Sequence, residues 1–159
     1  MLDLPNIQFD LREIVFNIVY MAIAYVLAIP IAWDRETHVR SAGLRTFPLV
    51  AVASCGFMLL GISVLSSTDA EARVLYGIMT GIGFIGGGAI LKDKGRVSGT
   101  ATAASIWNTG AIGTAVAWSR FEIAVLLSLL NFFTLWALGR VKEQVRNSSK
   151  TQENGDGNN

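Results

Sequence analysis

The sequence predicts an all-α fold, a polytopic membrane bundle of five transmembrane helices, and three observations lead to this prediction. The chain is 52% hydrophobic and only 16% charged, whereas soluble domains carry about 25% charged residues. Its centre holds a dense run of glycines, which favours close helix packing in lipid. Five stretches of membrane-spanning length contain no Asp, Glu, Lys, Arg or His. They are residues 14–33, 47–66, 74–91, 98–119 and 123–139.

The basic residues predict how this bundle is oriented. Of the 13 Lys and Arg, three lie before the first stretch or in the second and fourth connections. The other ten lie in the first and third connections and in the C-terminal tail. Because cytoplasmic loops carry the excess of basic residues, we expect the N-terminus outside and the C-terminus in the cytoplasm.

A charged motif follows the first stretch. Its carboxylates, Asp34 and Glu36, are expected to form ion pairs with Arg35, Arg40 or Arg45 at the membrane boundary. We expect Asp34, Arg35 and Arg45 to form a charge cluster that holds the first loop against the bundle, with Asp34 paired to Arg45. Carboxylate oxygens are ligands that Mg²⁺ prefers, so Asp34 and Glu36 are also the two candidates for a metal site.

The glycines of the third stretch are arranged in two stripes on a helix. At 100° per residue, Gly77, Gly81 and Gly88 share one stripe, and Gly83 and Gly87 form a second. Small residues let neighbouring helices approach closely in lipid. We therefore predict that these five glycines are helix-packing residues and that this helix is the centre of the bundle, contacted on two sides.

The same segment also matches a nucleotide-binding pattern. Gly81, Gly83 and Gly86 have the GxGxxG spacing of dinucleotide sites, which require an acidic residue about 20 positions later. Ile106 stands at that distance, inside another apolar stretch. Helix packing is therefore the preferred interpretation of the glycines.

The fourth stretch has a polar side. Thr102, Ser105 and Thr109 share one stripe, and Asn108 lies beside it. Hydroxyl groups can bond to their own helix, so packing explains this stripe as well as a polar site does, whereas a buried amide needs partners. We predict an intramembrane polar face formed by these four residues.

The end of the chain differs in composition from the rest. Residues 140–159 are rich in Asn, Gly, Ser and Gln, a composition typical of disorder. We therefore divide the chain into a five-helix transmembrane domain, residues 1–139, and a disordered polar cytoplasmic tail, residues 140–159.

Three motifs, in chain order, carry a resemblance to a known family. Residues 34–36 and 42–46 read DRE and AGLRT, residues 81–91 read GIGFIGGGAIL, and residues 97–107 read VSGTATAASIW. These resemble the ERE…AGLRT, GIGFLGAGxIL and VRGLTTAATLW motifs of the MgtC/SapB family of bacterial inner-membrane proteins. Longer members append a cytoplasmic α/β domain, so the resemblance implies a short form without it.

The resemblance also implies a location and a physiological setting. It implies a multi-pass protein of the bacterial inner membrane. Members of the family are associated with growth at low magnesium and, in some pathogens, with survival inside host cells. Some are regarded as magnesium transporters, and others are thought to act on ATP synthase or phosphate uptake systems. Membrane transporters or ATPases are therefore the implied protein partners, beside the lipid bilayer.

The residues leave two functions to be weighed, Mg²⁺ transport and an accessory role. Intramembrane ionisable residues ordinarily mark ion pathways, yet the five stretches contain no Asp, Glu, Lys, Arg or His. The cytoplasmic loops are net positive, and such a field repels a cation. We therefore favour a regulatory or accessory partner in magnesium homeostasis over a Mg²⁺ transporter that uses the glycine-rich and Ser/Thr/Asn-lined helices.

Other classes of function find no support in the residues. No nucleophile–base pair, metal cluster or phosphate loop can be assembled, so we expect no enzymatic activity and no cofactor, with Mg²⁺ kept as a candidate ligand or substrate. No nucleic-acid partner is expected. We also expect a homo-oligomer, most simply a dimer.

Overall fold

A computed structural model describes residues 10–38, 43–93 and 96–155 of the chain. These residues form five helices and one small β-hairpin, which confirms the predicted all-α bundle of five helices. The helices are α1 (Leu11–His38), α2 (Thr46–Val64), α3 (Thr68–Gly88), α4 (Thr100–Ala117) and α5 (Phe121–Gly155). The hairpin joins α3 to α4 and consists of β1 (Leu91–Asp93) and β2 (Arg96–Ser98), which are antiparallel.

The bundle has the surface of a membrane protein. Helices α1, α2 and α5 are long and apolar enough to cross a bilayer, over residues Leu11–Thr37, Thr46–Val64 and Phe121–Gly139. The other two helices have lower hydropathy because α3 begins with charged residues and α4 is rich in Ala, Gly and Thr. Large apolar side chains cover the outside, as at Phe84, which is 84% exposed. Such a surface is suited to lipid rather than water.

Helix α4 is the centre of the bundle, and the prediction that the glycine-rich helix holds this place is wrong. Twelve of the 18 residues of α4 are buried, whereas α3 buries only Ile82 and Gly86. Helix α4 contacts each of the other four helices. Its small residues allow this, because a helix with short side chains can be approached closely from several sides.

The glycines that mediate close packing are not those of the predicted stripes. A Cβ atom at Gly113 would collide with the Ala51 carbonyl oxygen of α2, and one at Gly110 would collide with Ile82 of α3. A Cβ atom at Gly86 would lie 3.0 Å from the carbonyl oxygen of Ala103 on α4. Gly113 and Gly86 therefore allow backbone-to-backbone contact of α4 with α2 and α3, and Gly110 makes room for the Ile82 side chain.

The predicted packing glycines are open within the chain. These glycines are Gly77, Gly81, Gly83, Gly87 and Gly88. A Cβ atom added at any one of the five would have no described atom of another element within 4 Å. Helical periodicity shows which residues share a face, but it does not show which face meets a neighbour. In the described part of the chain these residues pack no helix, and packing against another molecule stays a prediction.

One glycine has a conformation that the hairpin requires. Gly99, between β2 and α4, has φ of 84°, in the left-handed region that L-residues with side chains rarely adopt. A Cβ atom at this position would also collide with the carbonyl oxygen of Ala89 at the end of α3. Gly99 therefore lets the hairpin return the chain directly from α3 into α4.

The fifth helix is longer than expected. It continues to Gly155, so residues 140–155 are helical rather than the disordered tail that composition predicted. Lys, Glu, Gln and Arg in this segment are good helix formers. Adding residues to an existing helix avoids the cost of a new nucleus, which explains why a polar sequence continues α5.

Candidate functional site

The charged motif forms the C-terminal end of α1 and brings two charges into the protein. Asp34 and Arg35 retain only 6% and 8% of their exposure. Charged side chains are almost never this buried unless they are paired. The Arg35 Nη2 atom lies 2.7 Å from Asp34 Oδ2, and its Nε atom donates to the same oxygen at 3.1 Å. Two nitrogens of one guanidinium therefore bind one carboxylate oxygen.

Glu36 joins the two halves of the motif. Its Oε2 atom accepts a hydrogen bond from the backbone N–H of Leu44 at 3.0 Å. A Cβ atom at Gly43 would collide with this same oxygen, so the absence of a side chain at Gly43 allows the carboxylate to approach. The Gly43 carbonyl then accepts from the N–H groups of Thr46 and Phe47, which begins α2. Glu36 thereby connects the end of α1 to the start of α2.

The expected pairing of Asp34 with Arg45 is wrong. Asp34 is paired with Arg35, which is adjacent in sequence and long enough to fold back onto it. Arg45 is exposed and has no ion-pair partner in the part of the chain that the structure describes. It lies instead at one end of a groove between α2 and α3. Arg40, the third candidate partner, lies outside the described residues.

The two carboxylates proposed as metal ligands have separate partners. Asp34 binds Arg35, and Glu36 binds the N–H of Leu44. Among residues 10–38, 43–93 and 96–155, no group of three or more His, Cys, Asp or Glu residues converges on one point. The described geometry is therefore that of a structural charge cluster at the junction of α1 and α2.

The predicted polar face of α4 lies against α5. Ser105 Oγ donates to Asn131 Oδ1 at 3.0 Å, and Asn108 Nδ2 donates to the carbonyl oxygen of Leu127 at 3.2 Å. Thr109 Oγ1 donates to the Ser105 carbonyl oxygen at 2.7 Å. These hydrogen bonds hold α4 to α5 or stay within α4. The fourth predicted residue, Thr102, is buried beside them, at 1% exposure.

Two polar residues of α5, Asn131 and Ser128, form a polar seam along α4 and α5 together with Ser105, Asn108 and Thr109, and the sequence analysis missed both. Asn131 accepts the Ser105 hydrogen bond, and Ser128 Oγ donates to the Leu27 carbonyl oxygen of α1 at 2.6 Å. The signal was available, because a lone amide inside an apolar stretch must find partners when buried. The Nδ2 atom of Asn131 is buried without a hydrogen-bond partner among the described residues.

Similarity to a known protein family covers most of the chain. Residues 21–144 match the sequence profile of the MgtC family. The chain is 37% identical over 115 residues to uncharacterized protein slr0014 of Synechocystis, covering 72% of this chain and 48% of that protein. It is 32% identical over 139 residues to Protein SrpB of Synechococcus elongatus, covering 79% of this chain and 75% of SrpB.

A third relative is Protein MgtC of Brucella abortus, which is 40% identical over 93 residues. That match covers 58% of this chain and 39% of the Brucella protein. The chain thus spans about half or less of the length of the Synechocystis and Brucella relatives, and about three quarters of SrpB. No solved structure matches it significantly.

Proposed function

Because the chain belongs to the MgtC family, we propose that it is a non-enzymatic accessory protein of the bacterial inner membrane. In this role it supports growth at low magnesium by binding other membrane proteins rather than by carrying Mg²⁺ itself. The five helices cross the membrane with the junction of α1 and α2 on the cytoplasmic side, as the distribution of basic residues predicts.

The observation that supports this proposal is the use of the polar groups inside the bundle. Ser105 and Asn108 are bonded to α5, and Thr109 is bonded to its own helix. Mg²⁺ needs near-octahedral oxygen ligands and loses its water reluctantly. A path for this ion would need oxygens that are free to replace water, whereas these hydroxyl and amide groups are engaged in hydrogen bonds between α4 and α5 or within α4.

The exterior of α3 supports the binding part of the proposal. Tyr76, Phe84 and Ile85 are 74%, 84% and 51% exposed on this helix. Next to them, Gly83 and Gly87 leave open backbone, which allows a partner helix to approach closely. Large side chains beside small ones form ridges and grooves, the surface that helices use to pack in lipid.

Growth and magnesium uptake measured on the same cells test the accessory role. A bacterial strain that lacks its own MgtC-family protein would express this chain in medium with low magnesium. We expect growth to recover while the initial rate of magnesium uptake per cell stays at the level of the empty-vector strain. The exposed-site variant Glu122→Gln serves as a matched control and should behave like the unmodified chain. An uptake rate that rises in proportion to the amount of protein would instead favour transport.

A further inference from the structure

A deep groove runs between α2 and α3 and has no role in the charged motif or the polar seam. Its volume is about 1020 Å³. It extends from Arg45 and Thr46 at the start of α2 to Val64 and Leu65 at its end, so it follows the whole length of a helix that can cross the membrane. Residues from both helices line it, including Leu49, Phe57, Leu60, Gly77, Gly81 and Ile85.

The glycines of α3 explain why this space is open. Helices α2 and α3 touch where Val74 packs on Gly61, whose Cβ position lies 3.3 Å from the Val74 methyl groups. One and two turns further along α3, Gly77 and Gly81 have no neighbour within 4 Å of their Cβ positions. The absence of side chains at Gly77 and Gly81 leaves the groove open along the α2 surface, facing the surrounding lipid.

The polarity of the groove is confined to one end. Among the described residues that line the groove, three carry polar side chains, namely Arg45, Thr46 and Ser54. Ser54 Oγ donates to the carbonyl oxygen of Val50 at 2.7 Å. Arg45 and Thr46 therefore form a polar mouth. The N-terminal end of α2 adds partial positive charge there, and its first turn contains no acidic residue.

We propose that this groove binds an anionic phospholipid of the cytoplasmic leaflet, with its phosphate at Arg45 and Thr46 and an acyl chain along Gly77 and Gly81. An acyl chain spans one leaflet, about half of the ~30 Å hydrocarbon core. The part of the groove before the Val74–Gly61 contact, from Arg45 to Phe57 on α2, is about 18 Å long at 1.5 Å per residue, which is close to the length of one acyl chain. The guanidinium of Arg45 lacks a carboxylate in the described part of the chain, and a lipid phosphate supplies the missing anion.

A helix from a second protein is the alternative occupant, and the charge at the mouth disfavours it. A transmembrane helix could contact Gly77 and Gly81, but an apolar helix would leave Arg45 without an anion. The cytoplasmic leaflet is rich in anionic lipids, which basic residues at its surface attract. Lipid binding at this groove rests on the orientation proposed above, with the junction of α1 and α2 on the cytoplasmic side, but it does not depend on the accessory role.

Native mass spectrometry of the purified protein, titrated in detergent with phosphatidylglycerol or phosphatidylcholine, tests this site. We expect the protein to retain phosphatidylglycerol in preference to phosphatidylcholine by about tenfold, the scale of one charge-assisted contact. Arg45→Gln should abolish this preference. Its matched control is Lys92→Gln, which removes an exposed positive charge that does not line the groove and should leave the preference unchanged.

A second pair of variants tests the apolar part of the groove. Gly81→Leu places a side chain in the open space and should lower the occupancy of both lipids. Gly83→Leu adds the same side chain at an equally open position outside the groove and should not. Equal retention of the two lipids by the unmodified protein, or unchanged occupancy in Gly81→Leu, would overturn the proposal. Loss of a dimer in Gly81→Leu with lipid occupancy unchanged would assign the groove to a second copy. If Gly81→Leu does not fold, the Arg45→Gln preference decides alone.

Discussion

The hydroxyl of Ser105 on α4 donates a hydrogen bond to the side-chain oxygen of Asn131 on α5, at 3.0 Å. The other polar end of Asn131, its Nδ2 atom, is buried without a partner among the described residues. One amide in the seam is therefore half satisfied. Because of this arrangement, removing the two partners of this hydrogen bond should lower the stability of the protein by different amounts.

We expect Ser105→Ala to destabilise the protein more than Asn131→Leu does. Ser105→Ala removes the partner of Asn131 Oδ1, in an amide whose Nδ2 atom is already unpaired, and one newly unpaired buried group costs about 1–3 kcal/mol. Asn131→Leu removes both polar atoms, and the Ser105 hydroxyl can bond to its own helix instead, so its cost should stay below about 1 kcal/mol. Thermal unfolding in detergent measures both. A larger loss in Asn131→Leu would show that the Nδ2 atom has a partner in the folded protein.

Gly113 and Gly87 are a matched pair for testing which glycines pack helices. Gly113→Ala forces a methyl group against the Ala51 carbonyl oxygen, and overpacking of this kind costs about 1–3 kcal/mol. Gly87→Ala meets nothing within 4 Å, and its better helix propensity should raise stability by about 0.5–1 kcal/mol. Unfolding temperatures in detergent compare them. If both variants were equally destabilised, Gly87 would be a contact residue, as an assembly through α3 requires.

The sequence was sufficient to predict the helices but not their contacts. Five stretches without charge became five helices because a chain in lipid must pair its backbone groups internally. Periodicity also assigned the α3 glycines to two faces of this helix. It could not show that a Cβ atom at Gly86 would meet Ala103 while one at Gly87, one residue later, would meet nothing within 4 Å, since that depends on where α4 lies.

The charged motif shows the same limit on a smaller scale. The residue types predicted ion pairs at the membrane boundary, and an ion pair is present. Asp34 pairs with Arg35 rather than with Arg45. Which arginine it meets depends on the direction of each side chain at the end of α1 and the start of α2. The bond from Leu44 N–H to Glu36 involves a backbone donor, which no pattern of side chains identifies.

The buried Asp34–Arg35 pair should be far more sensitive than an exposed pair. Asp34→Asn leaves a buried guanidinium without its anion, and breaking a buried pair typically costs about 3–5 kcal/mol. Glu122→Gln breaks a pair with Arg120 whose side chains are 58% and 62% exposed, and exposed pairs contribute about 0–1 kcal/mol. Unfolding is measured with and without Mg²⁺. If Mg²⁺ stabilised the unmodified protein but not Asp34→Asn, and the variant folded normally, Asp34 would be a metal ligand.

Gly43 and Glu36 should behave as a coupled pair. Gly43→Ala places a methyl group where the Glu36 carboxylate lies, which breaks the hydrogen bond to Leu44, so we expect a loss of about 1–3 kcal/mol. In the double variant with Glu36→Ala the collision with the carboxylate is absent, and the combined loss should be smaller than the sum of the two single losses by at least about 0.5 kcal/mol. A double-mutant cycle measured by unfolding in detergent decides this. Additive losses would mean that the two residues do not meet.

Mg²⁺ flux through the purified protein most directly tests the claim that the polar groups of α4 and α5 hold helices together rather than conduct an ion. The protein would be reconstituted in liposomes that enclose a Mg²⁺-sensitive dye, with protein-free liposomes and an Asn108→Leu variant measured beside it. We expect the flux to equal that of protein-free liposomes for both proteins. A flux that saturates with Mg²⁺ concentration and disappears in Asn108→Leu would contradict this account and establish an ion path along the seam.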